Sequence, residues 1–100
     1  MVCHVIIWTL KDEYSDTQKE EIRRNAREAL NGLYGKIPGL TDIHVITEGL
    51  PSSSGDMMLD TLFENEEALK KYSVNPIHVE VANRTVRPFV KIRSCFDFEE

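Results

Sequence analysis

The sequence predicts an α+β fold, a four-stranded antiparallel sheet with helices on one face. Two observations lead there. Turn-bounded, β-branched runs alternate with capped amphipathic segments in the order strand, helix, strand, strand, helix pair, strand. The 100 residues leave room for a single domain, residues 1–100, with one core.

The first strand is Val2-Cys3-His4-Val5-Ile6-Ile7-Trp8-Thr9-Leu10, apolar on both parities and therefore covered on both faces. Ser15, with Gln18 three residues on, has the spacing of a capping box. Behind it Ile22, Ala26, Ala29, Leu30, Leu33 and Ile37 recur every three or four residues as the apolar stripe of a helix, which Gly35, Pro38 and Gly39 stop. Thr41 to Glu48 sets Ile43 and Val45 against Asp42 and Glu48, a half-exposed strand. Gly49 to Gly55 is a turn, and Asp56 to Phe63 returns as the hairpin partner. Asn65 caps a short helix from Glu66 to Tyr72, and Asn75-Pro76 starts a second with proline at the favoured first position. That helix carries His78, Val79, Ala82 and Val86 and ends before Pro88. Phe89 to Phe98 closes the chain as a strand in which Lys91 and Arg93 alternate with Val90 and Ile92; parity leaves open which pair turns inward.

A ferredoxin-like sheet order, 4-1-3-2, places the first strand centrally, as its two-sided apolarity requires. Helices cover only one face, so Cys3, Val5 and Ile7 on the other need a partner. The expected state is a homodimer packed sheet to sheet.

Seventeen acidic residues against twelve basic give a net charge of −5, which repels phosphate backbones, so no nucleic-acid partner is expected. No apolar run reaches the ~18 residues of a membrane span, and no basic segment precedes the apolar start. A soluble, cytoplasmic protein without a membrane partner is expected. Cys3 and Cys95 lack metal-ligand spacing and read as buried free thiols. A phosphate-binding glycine loop, a nucleophile elbow and a zinc-helix motif are all absent from the sequence, which disfavours nucleotide-dependent and triad chemistry. No cofactor is expected.

His4 shares a strand face with Ile6, Trp8 and Leu10, while Tyr72 and His78 flank the Asn75-Pro76 break and can turn toward the same layer. An imidazole within hydrogen-bond reach of a phenol suits proton transfer on a carbonyl compound. The bland alternative is that each is a satisfied polar residue at a core edge. His44 lies on a solvated parity with Asp42, and the three histidines have no short local spacing, so no metal is expected. Trp8 reads first as core packing, and Met57 and Met58 as adaptable filling.

His4-Val5, Ile37-Pro38-Gly39, Phe63-Glu64-Asn65-Glu66-Glu67-Ala68-Leu69 leading to Tyr72, Asn75-Pro76-Ile77-His78-Val79, and Asp97-Phe98 together resemble the stress-responsive A/B barrel domain family, Dabb. The likeness spans nearly the whole chain and implies a ferredoxin-like protomer in a dimeric α/β barrel. One plant member of that family is a polyketide cyclase. By that resemblance His78 would be a general base, Tyr72 its aid, and His4 the supporting strand histidine. Two departures qualify it. Asn75 stands where the family commonly has a first histidine, and Ile22-Arg23-Arg24-Asn25-Ala26 replaces a stretch of bulky aromatics lining the cyclase pocket.

The expected function is binding of, or action on, a small carbonyl-bearing or aromatic compound, with catalytic candidates His78, Tyr72 and His4 and pocket walls Ile6, Trp8, Leu59 and Val81. The alternative is a non-catalytic, stress-associated homodimeric module in which Tyr72 and His78 satisfy each other. A monooxygenase-like protein on the same barrel rests on fold analogy alone.

Overall fold

Local chemistry sets the element ends. Ser15 accepts from the Gln18 amide and the Gln18 side chain returns the bond to the Ser15 amide, so the expected capping box starts α1 (Asp16–Asn31). The computed structural model, which describes residues 1–100, ends that helix at Gly32. Leu33 and Ile37 are thus not helical as expected. They are buried from the turns that follow, because helix propagation fails at Gly32 while the apolar side chains still reach the core.

The strands are β1 (Val2–Leu10), β2 (Leu40–Ile46), β3 (Met57–Phe63) and β4 (Val90–Glu99), all antiparallel in the order β2-β3-β1-β4. This is the expected ferredoxin-like order with β1 inside. His4, Ile6, Trp8 and Leu10 point to the helix side, where Leu30 of α1 and Leu59 and Phe63 of β3 complete the core. Gly39, at φ +82°, starts β2 in a left-handed turn against Ala68.

Two helices follow β3. Asn65 accepts from the Ala68 amide to begin α2 (Glu66–Val74). Asn75 then serves two helices: its N–H donates to the Tyr72 carbonyl, and its side chain accepts from the Ile77 amide to open α3 (Pro76–Thr85) with proline at the start. The buried face of α3 is Val81, Ala82 and Thr85, displaced from the expected stripe through His78 and Val79, which are only half-buried. No helix is long and apolar enough to cross a membrane.

The register of β4 on β1 settles its faces. Arg93, Cys95 and Asp97 stand opposite Trp8, Ile6 and His4 and share their helix-side face. Ile92, Phe96 and Phe98 fall on the open side with Ile7. Cys95 is consequently exposed, contrary to the expected buried thiol, while Cys3 is buried; both are free. Edge strand β4 has no neighbour beyond it, so even its helix-side residues reach solvent.

Candidate functional site

The break at Asn75 brings the last turn of α2 against the first turn of α3. There the rings of Tyr72 and His78 stack with centroids 3.9 Å apart and planes inclined by 30°. His4 lies edge-on to Tyr72 at 6.1 Å between ring centres. The three catalytic candidates therefore converge on one cavity of about 330 Å³ between sheet and helices. Of the candidate wall residues, Ile6, Trp8 and Leu59 line it and Val81 does not; it is packed in the core. Ala82 takes the lining position instead, since at 3.6 residues per turn four steps from His78 come within about 40° of its direction and three only within about 60°.

Tyr72 and His78 do not satisfy each other. Stacking replaces the hydrogen bond that the sequence led us to expect, and Tyr72 Oη and His78 Nδ1 are both buried without a partner. An unpaired buried polar atom costs about 1–3 kcal/mol, and two on one cavity wall mark groups available to a ligand. Burial pushes the Tyr72 phenol well above its ordinary range, against the opposing pull of Arg87 and Arg93, so it stays protonated. Burial, then the Arg87 guanidinium, pushes His78 down to about 4; the nearby Tyr72 and Ser73 carbonyls oppose this in part. His78 is therefore neutral at physiological pH.

Asp97 is the partner that periodicity missed for His4. Directly opposite on β4, its Oδ1 lies 2.5 Å from His4 Nδ1. Cys95 Sγ sits 3.4 Å from the same carboxylate oxygen and 3.7 Å from the imidazole nitrogen. The donor atoms of His4, Cys95 and Asp97 lie within 4.8 Å of one another, a set whose chemistry suits a zinc-type cation. As they stand, the imidazole and carboxylate engage each other. His44, by contrast, is exposed on the open face beside Asp42, at 3.1 Å.

Arg87, Lys91 and Arg93 also line the cavity and were not singled out from the sequence. The alternation of Lys91 and Arg93 with Val90 and Ile92 is visible in the sequence, but its direction depends on the β1 register.

Fold and cavity define a ferredoxin-like α+β protein with a polar-tipped apolar site between its sheet and helices. The chain belongs to the stress responsive A/B barrel domain family, Dabb, whose profile matches residues 2–100. It is similar to a dimeric protein of unknown function and ferredoxin-like fold from Bacteroides fragilis, at 25% identity and TM-score 0.91 over 99% of this chain and 95% of that one. A Dabb family protein with a ferredoxin-like fold from Mesorhizobium loti is 19% identical, with TM-score 0.73 over 99% and 95% of the two chains. The hydroxynitrile lyase of Passiflora edulis shares the fold at 15% identity and TM-score 0.71, over 97% and 90%. No curated protein matches the sequence.

Proposed function

We propose that the cavity binds a small carbonyl-bearing or aromatic compound and that His78 acts on it as a general base. The observation that carries this reading is the pair of unpaired buried atoms, Tyr72 Oη and His78 Nδ1, on one wall above the apolar floor of Ile6, Trp8 and Leu59. A neutral His78 can accept a proton from the carbon next to a carbonyl. The C–H electron pair becomes the carbon–carbon double bond of the enolate, the carbonyl π pair moves to the oxygen, and the protonated Tyr72 donates a hydrogen bond to that oxygen. His4, held by Asp97, is the supporting polar group. The hydroxynitrile lyase is compatible with catalysis on this scaffold, though it shares the fold alone.

Self-association is part of the same reading. Ile7, Ile46, Ile92, Phe96 and Phe98 are exposed on the open face, with Phe96 at 69%, and two copies packed face to face would cover them. The Bacteroides fragilis relative is described as dimeric.

The stacking of Tyr72 on His78 favours one rival, a non-catalytic homodimeric module in which the pair locks α2 and α3 to the sheet. A thermal-shift screen of wild type and His78→Ala against phenols, β-keto compounds and short polyketide mimics separates them. A ligand at about 100 times its Kd stabilises the fold by roughly 2.7 kcal/mol. A wild-type shift lost in the variant supports the site. No shift with any compound, alongside a clearly destabilised variant, supports the lock.

A further inference from the structure

The chain is acidic, with 17 Asp and Glu against 12 Lys and Arg, but its cavity is not. Arg87, Lys91 and Arg93 line it, and no Asp or Glu does. Lys91 is already neutralised, its Nζ 2.8 Å from Asp12 Oδ2. Arg87 and Arg93 make no ion pair. Arg87 Nη1 donates only to the uncharged Asn83 amide, at 2.7 Å.

The two guanidiniums arrive from different elements. Arg87 begins the short 3-10 turn Arg87–Phe89 after α3, and Arg93 stands on β4 opposite Trp8. Both are exposed, so they flank the mouth, while Ile6, Trp8 and Leu59 form the buried floor. Their field reaches the reacting groups: both arginines favour ionisation of Tyr72, and Arg87 disfavours protonation of His78.

We propose that the ligand of this cavity is an anion, a small aromatic or β-keto carboxylate held at the mouth by Arg87 and Arg93. Its apolar body lies on Ile6 and Trp8, and its carbonyl or phenol oxygen meets Tyr72 and His78. This rests on the cavity being the ligand site and adds the ligand's charge. Planar guanidiniums match carboxylate oxygens in pairs, and an unpaired positive mouth on a negative protein draws anions to this one place. The same field stabilises the enolate formed when His78 takes its proton.

The test measures Kd by calorimetry for two matched pairs, benzoylacetate with benzoylacetamide and 2,4-dihydroxybenzoate with its amide, at low salt. Wild type should bind an acid about tenfold tighter than its amide, as a charge-assisted pair is worth. Arg87→Gln/Arg93→Gln should cut that preference below about threefold with unchanged near-UV dichroism, and Arg23→Gln/Arg24→Gln, which removes the same two charges from α1 outside the cavity, should leave it above about fivefold. Equal affinity for acid and amide overturns the charge assignment while leaving the cavity a ligand site. So does an acid preference that survives loss of both arginines, and so does acetate binding as tightly as the aromatic acids. Binding of neither member of either pair overturns the cavity reading and this inference with it.

Discussion

His4 Nδ1 and Asp97 Oδ1 lie 2.5 Å apart, joining residues 93 positions distant through the pairing of β1 with β4. The bond fixes the imidazole that borders the cavity and ties the terminal strand to the centre of the sheet. Asp97→Asn keeps the shape and removes the charge assistance, so it should cost about 1–2 kcal/mol in urea denaturation. No loss of stability would show that the pair does not hold β4.

Tyr72 and His78 have different expected signatures. Tyr72→Phe removes a buried hydroxyl that has no partner, so stability should rise by about 1 kcal/mol while ligand-induced shifts weaken. His78→Ala leaves no partner unpaired and should change stability by less than about 1 kcal/mol. Scanning calorimetry of both variants decides it, and a strongly destabilised His78→Ala would favour the structural lock.

His78 also imposes a pH dependence. Its imidazole faces Tyr72 on α2, Arg87 on the turn after α3 and His4 on β1, and folding lowers it from 6.5 to about 4. The unfolded chain therefore takes up this proton first. The stabilisation is complete above pH 6.5, is lost as pH falls from there toward 4, and levels off below. After discounting for partial exposure, the loss amounts to about 1–2 kcal/mol. Urea midpoints of wild type and His78→Gln followed from neutral to mildly acid pH should diverge by that much; parallel curves would count against a depressed imidazole.

On the open face, Phe96→Glu should shift sedimentation equilibrium from dimer toward monomer without loss of helical dichroism, since Phe96 is 69% exposed on the protomer and its fold does not use it. An unchanged mass would exclude this face as the interface.

Gly39→Ala tests a turn. At φ +82° a side chain is strained, and its Cβ would fall 2.5 Å from that of Ala68. The variant should lose at least about 1–2 kcal/mol in thermal denaturation.

Much of this architecture is carried by short-range signals. The Ser15–Gln18 box, the Asn65 cap and the Asn75-Pro76 start each depend on residues within a few positions, so the helices were legible. Two-sided apolarity placed β1 centrally, and period two aimed His4, Ile6 and Trp8 at the helices. The end of α1 was misplaced because Leu33 and Ile37 continue the apolar spacing after the backbone has left the helix at Gly32.

From local periods of 2.0 and 3.6 residues and the turn signals between them, then, the chain announces its elements, its sheet order and six residues that line the cavity, His4, Ile6, Trp8, Leu59, Tyr72 and His78. The rest of the site depends on long-range pairing. A one-residue slip of β4 would turn Arg93, Cys95 and Asp97 to the open face and Ile92 and Phe96 inward, and nothing within β4 forbids it. Registration against β1 gives His4 its carboxylate and places Arg93 at the cavity, and packing of α3 on α2 exchanges an expected Tyr72–His78 hydrogen bond for a stack that leaves both polar atoms free.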